Sequence, residues 1–432
     1  MRIYWSVQEE RDTVETDLSR RALLGSLAAS LTARGGTQSS PAGGETLPPV
    51  RAITRGPKFH WFGYYDKLQF DPASRFALGM EVAFEHRSPK PDDTIRIGMV
   101  DIEDNDRWID LGETRAWNWQ QGCMLQWLPG SKSQVIFNDF DGRQYVSRIL
   151  DVRSRETVTL PGPIYSVSPD ARWAVYPDFS RLNDDRPGYG YPNIPDPHAN
   201  VLAPAKAGIW LMDMKTGNIK LILSFAQIAR YPYSYGECGG ASKHRFNHLL
   251  FSPSGHRFIF LHRRKGGDNP EAGITRMFTA APDGSDLYLL DPYGDTSHFI
   301  WRGDTHVMAW AFHPAHGRKF LLFRDKSGEL EAVAPEGMPV NGHNTYLNRD
   351  GHRWILNDTY PDKDRLQHPY LYDTRTGRRY PLGHFRSPAE YSGEWRCDTH
   401  PRSNRNGKLV CIDSPHAGGR QMHLIDIRGI VS

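Results

Sequence analysis

Short apolar strands separated by tight turns dominate the pattern of hydrophobic and polar residues along this chain. The clearest example spans residues 246–264, where Leu249 and Phe251 alternate ahead of a Ser-Pro-Ser-Gly turn and Phe258 and Phe260 resume the alternation after it. Apolar alternation on both sides of a turn rich in Pro, Ser and Gly predicts a β-hairpin. We therefore interpret this segment as strand, turn and strand.

The same hairpin pattern recurs in seven units, which begin near residues 60, 119, 165, 246, 298, 342 and 397. A second hairpin, closed by an Asp-containing turn such as those at 213–217 and 373–377, follows each unit. Two hairpins make four strands, and a repeat of this length is typical of one propeller blade. The sequence therefore predicts an all-β fold, a seven-bladed β-propeller of four-stranded blades.

The last repeat is incomplete, because only one further strand, at 422–426, follows its first hairpin. Its outer strand must then come from elsewhere in the chain. Residues 47–53, just before the first unit, are the natural donor. Such an exchange closes the ring and hides two sheet edges that would otherwise be exposed.

The composition agrees with this fold and narrows the classes of function. The 40 Gly, the 31 Pro and the 12% of aromatic residues suit an all-β protein full of turns. The net charge of +3 is nearly balanced, and without an RNA- or DNA-binding motif we expect no nucleic-acid partner. The four cysteines are too few and too scattered for a disulfide framework: Cys123, Cys238, Cys397 and Cys411.

The N-terminal segment differs in composition from the rest. Arg20 and Arg21 precede a weakly apolar run that ends in small residues, and a Gly/Ser/Pro-rich stretch follows at 35–49. This pattern fits a twin-arginine export signal, although a disordered basic tail would look similar, and the run is too short and polar to span a bilayer. We predict an export signal and disordered linker at 1–48, a propeller at 49–432, and a periplasmic or secreted protein.

One segment interrupts the repeat within the third unit. Residues 181–208 are rich in Pro, Gly, Asp and aromatic side chains, which indicates a long ordered insertion over one face of the propeller. Its Tyr189 and Tyr191 could stack on a sugar ring or pack on their own scaffold; both interpretations stay open.

The repeat also predicts which side chains face one opening of the central channel. The inner strand of each blade begins, and the second strand ends, on the same face. Histidine occupies the corresponding position in blades four to seven, a periodicity that chance explains poorly. Neutral imidazole suits a transition metal or a general base. The residues predicted to line this opening include His60, Tyr64, Tyr65, Gln120, Gln121, Tyr165, Asn247, His248, Arg263, His298, His343, Cys397 and His400.

Two uses of these residues are considered. Three histidines and one thiol from consecutive blades would suit a divalent ion such as Zn²⁺ or Mn²⁺; the alternative is a hydrogen-bonded channel lining without metal. These predicted ligands are His298, His343, Cys397 and His400. His248, with His244 and Arg263 nearby, would form the catalytic side, because a neighbouring Arg favours neutral imidazole and can bind an anionic substrate group.

In three features this chain resembles the propeller polysaccharide lyases. They are the seven-unit repeat with channel histidines, the pair His400-Pro401, and the set Asn247, His248 and Arg263. These lyases are the oligogalacturonate lyases, the ulvan lyases and related propellers that cleave rhamnosyl-glucuronate linkages. The resemblance implies β-elimination at a uronic acid, with a uronate-containing oligosaccharide as substrate. That family carries a Gln and two His before the Pro of its last blade, where this chain has Trp395, Cys397, Asp398 and His400. Because of this difference, the resemblance does not specify which uronate linkage is cleaved.

The resemblance also implies roles for individual residues. Arg263 would neutralise the uronate carboxylate, His248 or His244 would be the base, and the acid would be a tyrosine, one of Tyr64, Tyr65 and Tyr165. We predict substrate contacts from five further positions: Gln120, Gln121, Tyr189, Trp301 and Arg302.

Three other functions are weighed against elimination. A related propeller hydrolase could release rhamnose from glucuronate with His60, although the aromatic run at 60–65 also suits a plug that seals the first blade. A hydrolase using paired carboxylates would need Glu81, Asp139 or Asp178, which no spacing ties together. A non-catalytic, TolB-like periplasmic propeller would bind a partner through its face. Channel histidines together with an Arg favour the enzyme.

Overall fold

The fold is a seven-bladed β-propeller, as the repeat predicts. A computed structural model describes residues 45–232, 242–265 and 273–432, which form seven four-stranded antiparallel sheets and one two-stranded sheet. The chain divides into Met1–Leu47 and Pro48–Ser432, and all of the sheets lie in the second unit. Residues 1–44 of the export signal and linker predicted at residues 1–48 lie outside the described residues, as does Cys238.

The blades follow one another in the order of the chain, with one strand as the exception. The first strand, β1 (Val50–Ala52), belongs to the last blade. From inner to outer edge, blade 1 contains β2 (Phe59–Trp61), β3 (Phe76–Val82), β4 (Ile95–Asp101) and β5 (Arg107–Thr114). Blade 2 contains β6 (Gln126–Trp127), β7 (Gln134–Phe140), β8 (Tyr145–Asp151) and β9 (Thr157–Leu160). Blade 3 contains β10 (Ser166–Val167), β11 (Trp173–Pro177), β12 (Gly208–Asp213) and β13 (Ile219–Ser224).

The remaining blades repeat this plan. Blade 4 contains β14 (His244–Phe251), β15 (Phe258–Arg264), β16 (Ile274–Ala280) and β17 (Tyr288–Asp291). Blade 5 contains β18 (Thr296–Arg302), β19 (His306–His313), β20 (Gly317–Arg324) and β21 (Leu330–Ala332). Blade 6 contains β22 (Thr345–Tyr346), β23 (Trp354–Asn357), β25 (Tyr370–Asp373) and β26 (Arg378–Pro381), with a side ribbon of β24 (Leu366–Gln367) and β27 (Phe385–Arg386). Blade 7 contains β28 (Arg402–Ser403), β29 (Leu409–Ser414), β30 (Gln421–Asp426) and β1.

The ring closes as the incomplete last repeat predicts. Strand β1 pairs antiparallel with β30, with Val50 opposite Ile425 and Ala52 opposite His423. The Ile53 amide donates to the Met422 carbonyl at 2.9 Å, and the Ile53 side chain is buried. The N-terminal segment of the propeller therefore supplies the outer strand of blade 7 and covers two sheet edges.

Helical structure is sparse among the described residues and lies outside the blades. Helix α1 (Phe179–Asp185) begins the predicted insertion of blade 3, and Asp178 caps it by accepting from the Arg181 amide at 3.1 Å. Helix α2 (Phe225–Ala229) follows β13 and is capped by Ser224. Two 3₁₀ turns lie at Asp350–His352 and Gly393–Trp395. In the part of the chain that the structure describes, no helix is long and apolar enough to cross a membrane.

The core lies between neighbouring blades, and irregular inner strands place polar groups in the channel. The pairing of β14 shifts register between Asn247 and Leu250, and that of β18 shifts between Thr296 and Phe299. Gly63, with φ of 110°, brings blade 1 so close to the Gln121 backbone that a Cβ would lie 2.9 Å from it. These departures from regular pairing turn side chains toward the channel axis.

Candidate functional site

Three histidines from consecutive blades meet in the channel, and we call His298, His343 and His400 the histidine cluster. The ring centroids of His298 and His343 lie 4.1 Å apart, and those of His343 and His400 lie 4.2 Å apart. All three side chains are buried. The structure thus brings together three of the four residues predicted as metal ligands.

His343 is held in an orientation that leaves one ring nitrogen available. Its Nδ1 lies 2.9 and 3.1 Å from the two carboxylate oxygens of Asp358, which also accepts from the Thr399 hydroxyl at 2.5 Å. Burial opposes ionisation of Asp358, but His343 and these hydrogen bonds outweigh it and lower the pKa of Asp358. The carboxylate therefore accepts from Nδ1–H, and the buried Nε2 of His343 has no hydrogen-bond partner among the described residues.

Asp398 completes a set of ligand atoms with His343 and His400. The three ligand atoms lie within 4.8 Å of one another, and His400 Nε2, also buried without a hydrogen-bond partner in the described chain, lies 3.8 Å from an Asp398 oxygen. Burial and the neighbouring His343 lower the pKa of both His298 and His400, so these rings are neutral at pH 7. Two free imidazole nitrogens and a carboxylate fit a divalent transition metal such as Mn²⁺ or Zn²⁺.

Cys397, the fourth predicted ligand, is not part of this set. Burial raises the pKa of its thiol, whose charged neighbours are Arg420, Asp413, Glu85 and Asp398. Successive side chains of an extended segment point to opposite sides, so Asp398 faces the histidines where Cys397 does not. The structure therefore places Asp398, not the predicted Cys397, in one set of ligand atoms with His343 and His400.

The third member of the histidine cluster contacts different groups. His298 Nδ1 lies 3.1 Å from the Asn341 side-chain oxygen, and His298 Nε2 lies 3.4 Å from the Tyr360 hydroxyl. Its Nε2 therefore faces a phenol that the sequence did not single out.

Blade 1 sends a tyrosine pair into the channel beside the histidines. The Tyr64 ring lies 4.9 Å from that of His248 and 5.1 Å from that of His400. The Tyr65 hydroxyl donates to the Phe299 carbonyl at 2.9 Å and accepts from the Phe299 amide at 3.0 Å. Burial raises the pKa of both tyrosines well above the usual range.

Two predicted residues of blades 2 and 3 contact each other. The Tyr165 hydroxyl accepts from Gln121 Nε2 at 2.7 Å, and burial raises its pKa. Gln120 Nε2 donates to the carbonyls of Glu394 and Arg396 and so holds the segment that precedes Asp398.

His248 lies deep in the channel, opposite a carboxylate of blade 1. Its Nε2 is 3.3 Å from an oxygen of Asp66, and its ring stacks on Phe299 with centroids 3.9 Å apart. Lys67 Nζ lies 3.0 Å from the Asp66 carboxylate. Burial lowers the pKa of His248 to about 4 even though Asp66 opposes the shift, so the ring is a neutral base at pH 7.

Three partly exposed arginines interact electrostatically with Tyr189, and we call Arg186, Arg263 and Arg396 the arginine rim. Burial, Arg186 and Arg245 lower the pKa of Arg263 to about 10, so it remains a cation at pH 7. The Nε of Arg263 has no hydrogen-bond partner in the described chain. Arg263, predicted from the repeat, thus has one unpaired donor, and its charge acts on His248 and His298.

The insertion of blade 3 reaches the same rim through Tyr189. Arg396 Nη2 donates to the Tyr189 hydroxyl at 2.6 Å, and the Arg186 guanidinium lies 4.7 Å from the Tyr189 ring centroid. Tyr191 instead packs between the insertion and blade 2: its ring stacks on Phe179 with centroids 4.3 Å apart, and its hydroxyl accepts from Asn138 at 2.9 Å. The two tyrosines therefore have different surroundings.

The other predicted site residues lie outside this constellation. His60 contacts Gln421 and Glu81 at 3.0 and 3.2 Å. His244 bonds His262 at 2.9 Å, and burial lowers its pKa to about 4. Trp301 packs in the core between blades 4 and 5, and Arg302 is exposed at the far end of β18 from His298.

Sequence reasoning missed several members of the site. Asp66 directly follows the predicted Tyr64 and Tyr65, so it lay beside singled-out positions, whereas Tyr360 did not. Arg396 and Arg186 carried no repeat signal, because the loops that bear them do not recur in every blade. Their proximity follows only from the way the insertion crosses toward blade 7.

Comparisons with known proteins support the fold. No family model and no curated protein sequence matches the chain. An oligogalacturonate lyase from Vibrio parahaemolyticus aligns at 14% identity and TM-score 0.58 over 88% of this chain and 93% of that one. An oligogalacturonate lyase in complex with manganese aligns with TM-score 0.61 at the same identity and coverage. TolB from Acinetobacter baumannii aligns at 12% identity and TM-score 0.40 over 77% of this chain and 76% of that one. At 14% identity, the likeness to the two oligogalacturonate lyases shows a shared fold.

Proposed function

We propose that the protein cleaves a uronic-acid-containing oligo- or polysaccharide by β-elimination. The observation that carries this proposal is the approach of Arg263, a cation with an unpaired buried donor, to a buried group of neutral histidines. Such a site binds a carboxylate and removes a proton beside it. The manganese-bound oligogalacturonate lyase among the structural neighbours supports this function by analogy of fold.

Each step can be assigned to residues of this chain. Arg263 binds the uronate carboxylate, which withdraws charge from the adjacent C5 and makes its proton more acidic. His248 is the candidate base, since burial keeps its imidazole neutral at pH 7. Loss of the C5 proton and of the C4 substituent leaves an unsaturated uronate.

The residues present fit a divalent metal. His343, His400 and Asp398 would hold it, because two buried imidazole nitrogens lack other partners and a carboxylate lies beside them. When bound, Mn²⁺ or Zn²⁺ supplies positive charge that stabilises the anion formed at the uronate. Export to the periplasm remains a proposal that rests on Arg20 and Arg21.

The test is an elimination assay with wild-type protein and the Arg263→Ala variant on a panel of uronate oligosaccharides. Wild-type protein should produce the ultraviolet absorbance of an unsaturated uronate. Arg263→Ala should lower kcat/KM by about 100-fold or more, because it removes the charge that stabilises the developing anion. Arg324→Ala, which removes an exposed arginine paired with Glu329, is the matched control and should be fully active.

Other results would favour other functions. New reducing ends without the absorbance would favour the hydrolase, and inactivity on every uronate would favour a binding propeller. Full activity of Arg263→Ala would contradict the role of Arg263 while leaving elimination standing.

A further inference from the structure

The tyrosines near the channel differ in what their hydroxyl oxygens contact. The Tyr65 hydroxyl is engaged by the Phe299 backbone, and that of Tyr165 accepts from Gln121. Both phenols are thereby tied to the scaffold. Tyr189 differs, because its oxygen accepts a hydrogen bond from a guanidinium.

The surroundings of Tyr189 stabilise negative charge on its oxygen. Arg396 Nη2 lies 2.6 Å from that oxygen, and the Arg186 guanidinium lies over the ring at 4.7 Å. A phenol carries one proton, and an arginine can only donate, so the Tyr189 proton points away from Arg396. Burial opposes ionisation, but Arg396 and Arg186 outweigh it and lower the pKa of Tyr189.

Tyr189 lies within electrostatic range of Arg263, the proposed carboxylate-binding group. Arg263 and Tyr64 both interact electrostatically with Tyr189, and the rim arginines around it are partly exposed. The backbone N–H of Gln120 donates to the carbonyl of Gly188, the residue before Tyr189, at 3.2 Å. The insertion is thus fixed to blade 2 on one side and, through Arg396, to blade 7 on the other.

We propose that Tyr189 is the catalytic acid that protonates the glycosidic oxygen leaving C4. This inference rests on the proposed function. In the step, the C5–H electron pair forms the C4–C5 double bond, the C4–O bond breaks, and the departing oxygen takes the Tyr189 proton to become an alcohol. The base holds the C5 proton, Tyr189 is left as a tyrosinate beside Arg396 and Arg186, and proton exchange through water restores both groups.

This assignment differs from the acid that the family resemblance implies, which was Tyr64, Tyr65 or Tyr165. It places the acid on the insertion of blade 3, outside the repeated channel positions. The arginines explain the choice, because a donor whose anion is stabilised transfers its proton more readily at neutral pH.

The test compares wild-type protein with Tyr189→Phe on two uronate substrates, one with a sugar and one with an aryl group leaving from C4. Tyr189→Phe should lower kcat by about 100-fold or more on the sugar-leaving substrate with little change in KM, a loss typical of removing an acid. An aryloxide leaves without protonation, so the variant should turn over the aryl substrate near the wild-type rate. Retained aryl turnover also shows that the variant is folded.

A second measurement follows the C5 proton directly. In D₂O, Tyr189→Phe should exchange the C5 proton of the sugar-leaving substrate for deuterium without releasing the sugar at C4, because the base that removes the C5 proton is unchanged. The matched control is Tyr191→Phe, which removes an equally buried phenol of the same insertion that accepts from Asn138 at 2.9 Å. It should change stability and leave kcat unchanged.

The two failures are distinguishable. Equal losses on both substrates, or wild-type kcat in Tyr189→Phe, would overturn the role of Tyr189 while elimination by the wild-type protein stands. Wild-type protein that neither eliminates nor exchanges C5 would overturn the proposed function and this inference with it.

Discussion

At the scale of single residues, the site holds groups in conformations that an ordinary fold avoids. His248 and His400 have φ values of 51° and 39°, in the left-handed region that is costly for residues other than glycine. Their imidazoles are nevertheless buried. His400 Nε2 lacks a hydrogen-bond partner among the described residues, and His248 Nε2 has the Asp66 carboxylate at 3.3 Å. Strain combined with unsatisfied polar atoms indicates selection for a ligand or a reaction rather than for stability.

The hydrogen bond from His343 to Asp358 leads to a prediction about metal binding. Purified wild-type protein should bind about one equivalent of Mn²⁺, measured by calorimetry. Asp358→Asn should weaken binding by about 10–100-fold, because the carboxylate fixes the ring and raises the basicity of Nε2.

The control for this prediction lies in the same blade. Asp373 is equally buried and pairs with Arg353 at the other end of β23 and β25, so Asp373→Asn should lower stability and leave metal affinity unchanged. Equal weakening in both variants would contradict the specific role of Asp358. If the wild-type protein binds no metal, the histidine cluster is a channel lining.

At the scale of elements, the closure of the ring depends on one short strand. Strand β1 has only three residues, and it pairs with the three residues from His423 to Ile425 on the outer edge of β30, which would otherwise expose unpaired backbone groups. The insertion of blade 3 makes a second long-range connection, from Tyr189 to Arg396. These two connections tie distant parts of the chain into one ring.

Truncation tests the contribution of β1. Removing residues 1–54 should lower the free energy of unfolding by about 2–4 kcal/mol, because buried Ile53 and the β1–β30 hydrogen bonds are lost. Removing residues 1–47 should leave it unchanged, since all seven blades lie within Pro48–Ser432. The measurement is chemical denaturation, and equal stability of the two truncated proteins would contradict the role of β1.

At the scale of the whole molecule, buried neutral histidines make stability depend on pH. Burial lowers the pKa of His244 and of His423 to about 4 from the usual 6.5. Between about pH 6.5 and pH 4, these two histidines are therefore protonated in the unfolded chain and neutral in the folded chain. The contribution of the neutral histidines to the free energy of unfolding is fully present above this range. It is lost as the pH drops through the range, by up to about 3 kcal/mol for each histidine.

The resulting prediction is a melting temperature that decreases between pH 7 and pH 4.5. His423→Gln should show a shallower decrease, because glutamine cannot take up a proton on unfolding. His256→Gln, which replaces an exposed histidine, is the control and should follow the wild-type curve. A His423→Gln curve parallel to the wild-type curve would show that His423 does not contribute.

Sequence reasoning reached the site unevenly. It identified His298, His343 and His400, because their blades repeat one pattern and a repeat fixes the position of each member. It chose Cys397 instead of Asp398, because the side of a strand that an irregular segment presents depends on local backbone angles. Those angles are set by packing rather than by spacing.

The sequence by itself determined the number of blades, the four strands of each and the strand that closes the ring. Alternation and turn chemistry are local properties, and local properties repeated seven times leave little freedom in the architecture. Only the tertiary structure decided which polar side chains meet. Asp66 reaches His248 from blade 1 to blade 4, and Tyr189 reaches Arg396 from blade 3 to blade 7. Contacts across the channel join residues that share no sequence pattern, because they arise from curvature of the ring and from loops outside the repeat.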